Sequence, residues 1–380
     1  MTISADRVAP DAIGLDWREL DTPALLVDLD RLEANIDWMA GHAGAGGVVH
    51  RPHFKTHKSV AIARRQLGAG AIGITVAKLD EAEALVDGGI DASILVAFQL
   101  ASPFKLERAL RLAGRVPLIL AVDSAAGVGL LADAATAAGR VAEVWIEIDS
   151  GLRRCGVLPG EAADLARVVT AQESLRLTGL FTHAGQSYAA RDPRDVAAIA
   201  GTEASAVVAA AEAVRAIGIP IATVSAGSTP TAQFLDASSG ITEIRPGTYV
   251  FYDALQVALG SAGADQCALS IATTVISRPA ADRAVIDAGS KTFGLDRGAH
   301  SSDLLVGYGA VQEIDGTLAR LSEEHGMLDI PAGSPLAIGD RVRIVPNHVC
   351  TVSNLARRTY GLRDGIVREV IEIDAAGGVH

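Results

Sequence analysis

The sequence predicts a closed (β/α)8 barrel followed by a separate, mainly β domain. Three observations carry that expectation. From about residue 28 to residue 250, short apolar runs alternate with alanine-rich stretches of helical spacing, and near-continuous apolar strands divided by helices mark a parallel sheet covered on both faces. Eight such runs fall in this stretch, the strand number of the closed barrel. After about residue 262 the long helical stretches stop and short strand-like runs take over.

The eight expected barrel strands are 48–53, 72–76, 93–97, 117–122, 143–148, 176–182, 222–225 and 243–245. Between them, Leu79-Asp80-Glu81-Ala82-Glu83-Ala84-Leu85 and 196–217 read as helices. An open doubly wound sheet is the runner-up, disfavoured because no Gly-x-Gly-x-x-Gly follows an early strand. In the second part, 269–275, 284–287, 342–345 and 366–371 read as strands. The barrel is therefore expected over 28–255 and the β domain over 262–380. The strand candidate Ala24-Leu25-Leu26-Val27 suits either part, which leaves 1–27 open as a contribution to the β domain.

Composition narrows the function. A chain of 380 residues buries a large core, and 49% apolar residues with 4% aromatics is a globular profile. Apolar runs such as Val116-Pro117-Leu118-Ile119-Leu120-Ala121-Val122 are too short to span a bilayer. The first twenty residues carry Asp6, Arg7, Asp11, Asp16, Arg18 and Glu19, against a secretory apolar stretch. A cytoplasmic protein without a membrane partner is expected. The net charge of −12 argues against a nucleic-acid partner. A small anionic substrate stays compatible, because a few cations in a cleft outweigh a diffuse acidic exterior. Cys155, Cys267 and Cys350 are odd in number and far apart, unlike a disulfide framework.

Three segments carry chemistry. In Arg51-Pro52-His53-Phe54-Lys55-Thr56-His57-Lys58 the residues Arg51, His53, Lys55 and His57 share one parity, so a strand would put them on one face. A cationic face at a barrel strand's C-terminal end marks an active site; the residues alone allow a solvated basic loop equally well. In Val224-Ser225-Ala226-Gly227-Ser228-Thr229-Pro230-Thr231, small residues and hydroxyls after the seventh strand suit a phosphate, although such clusters are also ordinary loops. In Val345-Pro346-Asn347-His348-Val349-Cys350, a strand would aim His348 and Cys350 the same way. An imidazole with a thiolate suits zinc or another transition ion, and by itself the pair reads more readily as core.

The run Arg-Pro-His-x-Lys-Thr-His-Lys at 51–58 resembles the cofactor segment of eukaryotic-type D-serine dehydratases and D-threonine aldolases. These belong to the alanine-racemase-like TIM-barrel group of pyridoxal-phosphate enzymes. The resemblance implies that Lys55 forms the Schiff base with the cofactor, in preference to Lys58. It continues in order along the chain. Glu147-Ile148-Asp149-Ser150-Gly151-Leu152-Arg153-Arg154-Cys155-Gly156-Val157 is similar to the segment whose arginine approaches the cofactor's phenolic oxygen, which implies Arg154, with Arg153 a solvated neighbour. Thr182-His183-Ala184-Gly185-Gln186-Ser187-Tyr188 implies His183 against the pyridine ring, with Tyr188 a further cofactor contact. Ser225, Gly227, Ser228 and Thr229, completed by Gly247 and Thr248, become the phosphate site. Arg245 resembles the arginine that alanine racemases place at the pyridine nitrogen, where it limits how much carbanion charge the ring stores.

The same resemblance assigns a divalent metal to His348 and Cys350, with zinc first and manganese or magnesium as alternatives. His-x-Cys is the dehydratase form of this pair, whereas the aldolases typically carry His-x-Asp. Ser322-Glu323-Glu324-His325-Gly326 also resembles a family segment, which leaves His325 as a proton-transfer group or a surface turn. The implied reaction is dehydration of a D-β-hydroxy amino acid (D-serine, D-threonine or D-threo-3-hydroxyaspartate type) to a 2-oxo acid and ammonia, with Lys55 as general base. Rivals are retro-aldol cleavage to glycine and an aldehyde, racemisation, for which no second-domain tyrosine is identified, and a non-enzymatic pyridoxal-phosphate carrier, which lacks the second domain. A homodimer is implied by the resemblance alone.

Overall fold

The computed structural model describes residues 12–380. Asp6, Arg7 and Asp11 lie outside the described residues. The chain forms two compact units: a β unit made of the described residues up to Asn35, Val250–Ala258 and Ala262–Ala376, and a barrel unit made of Ile36–Tyr249, Leu259–Ser261 and Gly377–His380.

In chain order, β1 (Ala24–Asp28) and α1 (Leu29–Ala45) come first. Eight strands follow: β2 (Val49–His50), β3 (Gly73–Val76), β4 (Ser93–Gln99), β5 (Leu118–Val122), β6 (Ala142–Ile148), β7 (Leu175–Thr182), β8 (Thr223–Ala226) and β9 (Glu243–Ile244). They alternate with α2 (Val60–Gly68), α3 (Leu79–Asp87), α4 (Pro103–Leu112), α5 (Ala125–Ala137), α6 (Ala162–Thr170), α7 (Pro193–Ala216) and the one-turn α8 (Thr229–Ala232). The starts of the helices are written in the sequence. Ser102 and Ser124 accept backbone N–H bonds at the N-termini of α4 and α5, and Asp192 followed by Pro193 opens α7.

The eight strands pair in parallel in the order β2-β9-β8-β7-β6-β5-β4-β3. A bridge between His53 and Thr75, with Thr75 N donating to Pro52 O at 2.8 Å, joins the two ends of the sheet. The result is the expected closed barrel, which has no open edge. Leu95, Ile119, Ala121, Trp145 and Phe181 pack together as its apolar filling. Trp145 takes the space beside Gly179, where a Cβ would stand 2.8 Å from the indole, and its Nε1 donates to Thr178 Oγ1 at 2.9 Å.

Helix α7 corrects the reading by run length. By length and mean hydropathy it could cross a membrane, but alanines, not a continuous bulky run, supply the apolar character. It packs on β7 and β8 through the stripe Val196, Ala200, Ala204, Val207, Ala211 and Val214, the spacing of one helix face.

The β unit continues with α9 (Ala254–Ala258), β10 (Leu269–Ala280), β11 (Arg283–Ile286), α10 (Ser290–Phe293), β12 (Gly309–Val311), β13 (Thr317–Leu321), β14 (Gly326–Asp329), β15 (Arg341–Pro346), α11 (Val349–Leu355), β16 (Arg358–Arg363) and β17 (Ile366–Glu372). Its sheet runs β11-β14-β13-β12-β15-β10-β1-β16-β17, and a further β10–β11 pairing closes six of the strands into a ring. The pair β1–β16 is parallel and the other pairings are antiparallel. Trp17, Leu20, Leu26, Ala272, Leu362 and Val367 form a core between the early and late segments. The strands at 309–311, 317–321, 326–329 and 358–363 were not among those expected.

Candidate active site

The site begins where β2 stops. Pro52 has no N–H for a ladder, yet Arg51 N still donates to Ile244 O and His53 N to Pro246 O, both at 3.0 Å. The extended register therefore lasts to His53. Lys55 lies instead in a 3-10 turn, Phe54–Thr56, with its N–H donated to His53 Nδ1 at 3.3 Å. The shared-face expectation holds for Arg51 and His53 and fails for Lys55 and His57. The turn leaves Lys55 half-buried and sends His57 inward, to 1% exposure. His57 Nδ1 accepts Ser59 N–H at 3.2 Å and its Nε2 meets Gln66 Oε1 at 3.2 Å; burial brings its pKa down to about 3.

The segment is not a solvated loop either. Arg51 is buried, with Nε 2.9 Å from Glu243 Oε2. Lys58 is buried, 3.4 Å from Glu81 Oε1, and donates to Gly378 O at 2.8 Å.

A cavity of about 400 Å³ opens at the C-terminal ends of the barrel strands. Lys55, Arg154, His183, Tyr188 and Arg245 line it, as do Gly227, Ser228, Thr229, Gly247 and Thr248. Arg245 is buried, donates to the carbonyl of Thr182 and to Ser225 Oγ, and lies 5.2 Å from the Phe181 ring centroid. Ser225 does not line the cavity. Its hydroxyl donates to Glu243 Oε1 at 2.6 Å. Ser225 thus links Glu243 to Arg245, a support role where a phosphate contact was expected. The buried chain Arg51, Glu243, Ser225 is continuous by hydrogen bonds and ends at the cavity-lining Arg245.

Arg154 is half-exposed and pairs with Glu147 at 3.6 Å, while its neighbour Arg153 is exposed. Burial raises the Glu147 carboxyl, opposed by its bond from Gln99 and by Arg154. His53, also on the cavity wall, is held well below the usual histidine range by burial and by the charges of Lys55, Arg245 and Arg154.

Across the cavity, Gly227 takes φ +93°, a conformation open to glycine. Its N–H is committed to Glu203 Oε1 at 2.9 Å, and Ser228 N–H to Thr231 Oγ1 at 2.9 Å. The loop therefore offers close approach and the hydroxyls of Ser228, Thr229 and Thr248. An ammonium and two guanidiniums facing hydroxyls and small residues fit an anionic, aldehyde-bearing cofactor, and the volume is that of a small-ligand site.

In the β unit, β15 ends at Pro346, so His348 and Cys350 are not on a strand. His348 is the N-cap residue of α11 and Cys350 lies in its first turn, hydrogen-bonded to the imidazole. The pair is close through the cap, a correction to the parity argument. His348 Nδ1 lies 2.6 Å from Asp296 Oδ2, which leaves Nε2 as the nitrogen a metal would use, the usual way a carboxylate orients a ligating histidine. Asp253 accepts Val349 N–H at 3.1 Å and Gln256 N–H at 2.9 Å, pinning the start of α11. Among the described residues no three His, Cys, Asp or Glu side chains form a metal-holding group; the candidate is a two-residue site whose soft–borderline donors fit zinc-like ions. His325 is exposed in the turn between β13 and β14.

Residues 27–254 match the family described as alanine racemase, N-terminal domain, and residues 268–362 the putative serine dehydratase domain. The chain is 41% identical over 351 residues to D-threo-3-hydroxyaspartate dehydratase of Delftia sp. (strain HT23), covering 87% of this chain and 91% of that one. It is 33% identical over 372 residues to D-threonine aldolase of Arthrobacter sp, covering 94% and 93%. The solved structure of a cysteine-to-alanine mutant of D-threo-3-hydroxyaspartate dehydratase in the metal-free form superposes with a TM-score of 0.87 at 38% identity, over 94% of this chain and 98% of that one. The chain belongs to the D-threonine aldolase and D-hydroxyaspartate dehydratase family, with the alanine racemase fold.

Sequence reasoning missed the residues that support the site from behind. Glu203, fully buried inside the apolar stripe of α7, accepts the N–H groups of both Ala184 and Gly227, at 3.2 and 2.9 Å. It thereby ties the loop after His183 to the loop that begins the hydroxyl wall. A lone glutamate on an alanine-rich core face was the available signal. Asp253 and Asp296 had no sequence signal beyond being acidic.

Proposed function

We propose that this chain is a pyridoxal-phosphate- and divalent-metal-dependent lyase that removes water from a D-β-hydroxy amino acid, giving a 2-oxo acid and ammonia. The observation that carries the reading is the convergence of Lys55, Arg154, His183, Arg245 and the 227–229 and 247–248 loops on one cavity. In this reading 28–255 is the cofactor barrel and 262–380 bears the metal pair.

Lys55 would hold the cofactor covalently, Arg154 and Arg245 would hold its ring, and Ser228, Thr229 and Thr248 its phosphate. Pyridoxal phosphate, when bound, supplies an electron sink that acidifies the α-hydrogen of a bound amino acid. Lys55 Nζ would serve as the general base that takes the α-proton. Arg245, its guanidinium fixed by Thr182 O and Ser225, would disfavour storage of carbanion charge on a bound cofactor, so that departure of the β-hydroxyl would need assistance. His348 and Cys350 would hold the divalent ion, which supplies Lewis acidity toward a hydroxyl leaving group. The metal-free cysteine mutant among the solved relatives supports a cysteine-bearing metal centre in this family. The same reading takes the ion as zinc, with manganese or magnesium as alternatives, and the enzyme as a cytoplasmic homodimer.

Incubation with D-serine, D-threonine and D-threo-3-hydroxyaspartate tests the reaction. Ammonia with a 2-oxo acid is expected. Glycine with an aldehyde would assign the chain to retro-aldol cleavage, the reading favoured by the aldolase relative. The Lys55→Ala protein is expected to lose the visible absorption band of the lysine-bound cofactor. His348→Ala and Cys350→Ala are expected to lose bound metal by elemental analysis while keeping that band.

A further inference from the structure

Most cations on the cavity wall already have a partner or a task. Arg245 is bonded to Thr182 O and Ser225, Arg154 is paired with Glu147, and Lys55 is assigned to the cofactor. Lys78 also lines the cavity. It follows β3 and is the N-cap residue of α3, at the strand end where barrels place groups that meet substrate. Its Nζ stands 3.7 Å from the centroid of the Phe98 ring, another lining residue.

The acids near Lys78 are committed elsewhere. Glu81 faces Lys58 at 3.4 Å and accepts Ala77 N–H at 2.7 Å. Asp80 faces Arg108 at 2.8 Å and accepts His380 N–H at 2.9 Å. Lys105 adds a second positive charge in the neighbourhood. Among the described residues no carboxylate lies within ion-pair distance of Lys78. An ammonium steadied by an aromatic face and left without a counter-ion is a receptor for an anionic group.

We propose that Lys78 receives the side-chain carboxylate of the substrate, so that the enzyme prefers acidic D-β-hydroxy amino acids to D-serine or D-threonine. The proposal rests on the D-amino acid reading above. It differs from α-carboxylate binding, which every amino acid substrate would share.

Calorimetric titration of the holoenzyme with D-aspartate and D-alanine, which lack the β-hydroxyl, separates these cases. The wild-type protein is expected to bind D-aspartate more tightly. Lys78→Gln should cut that advantage at least about tenfold, the scale of one lost charge-assisted bond, and Lys78→Arg should keep most of it. The kcat/KM ratio of D-threo-3-hydroxyaspartate over D-threonine should fall in parallel, through KM. An unchanged D-aspartate advantage in Lys78→Gln, or equal weakening of both ligands, overturns the subsite. Binding of neither ligand to wild-type holoenzyme overturns the D-amino acid reading itself, and the subsite with it.

Discussion

Arg51 and Glu243 show how much of a site lies beneath its visible residues. Their ion pair is almost wholly buried, with the two side chains 5% and 1% exposed. Burial of such a pair is acceptable while both members are satisfied and costly once one is removed. Glu243→Leu leaves Arg51 without this carboxylate and frees Ser225 from its acceptor, so about 3 kcal/mol of stability should be lost. Urea unfolding measures it, and a loss well below 1 kcal/mol would mean that Arg51 finds another partner. At this scale the sequence was legible where chemistry is carried by order along the chain: Lys55, Arg154, His183 and Arg245 do line one cavity. It was misleading where local geometry decides. The turn at Lys55, the internal use of Ser225 and the cap that joins His348 to Cys350 follow from pairings that a parity rule does not contain.

Helix α7 is the element that links packing to the site. Its alanine stripe makes it a barrel helix, and Glu203 on that stripe joins two loops. Burial pushes the Glu203 carboxyl up, and the N–H of Gly227 opposes this, so an uncharged acceptor of the same shape should serve nearly as well. Glu203→Gln should retain cofactor affinity close to wild type. Glu203→Ala leaves two buried N–H groups unsatisfied, at about 1–3 kcal/mol each, and should release pyridoxal phosphate more readily in equilibrium dialysis. Equal affinity in all three proteins would remove Glu203 from the cofactor wall. The eight barrel strands were readable because parallel strands buried on both faces are continuous apolar runs. Strands β12, β13, β14 and β16 were not. Their residues alternate with polar or charged neighbours or include glycines, as in Arg358-Thr359-Tyr360-Gly361-Leu362-Arg363, and their pairing is set by distant segments.

For the whole molecule, buried histidines set the acid limit. His50 and His57 are both buried, and burial brings each pKa to about 3 from an unfolded value of 6.5. Below pH 6.5 the unfolded chain binds protons that the folded protein excludes. The contribution of these two histidines is therefore full above pH 6.5 and falls by about 1.4 kcal/mol per pH unit per histidine as pH drops toward 3. The urea midpoint should be lower at pH 5 than at pH 7.5, and His50→Phe with His57→Gln should flatten that slope. A slope indifferent to both substitutions would assign acid sensitivity to other groups.

The placement of β1 between β10 and β16 has a consequence for synthesis. The barrel strands run from Val49 to Ile244 without interruption by the other sheet, so the ribosome delivers them in one instalment. β1 leaves the exit tunnel before any of them, yet its partners at Leu269–Ala280 and Arg358–Arg363 arrive only after all of them. Chains are made at about 5–20 residues per second and domains fold as they emerge. The nascent chain thus carries an apolar, unpaired strand throughout assembly of the barrel, and pulse proteolysis of stalled ribosome complexes should find Ala24–Asp28 cleavable until β16 is out.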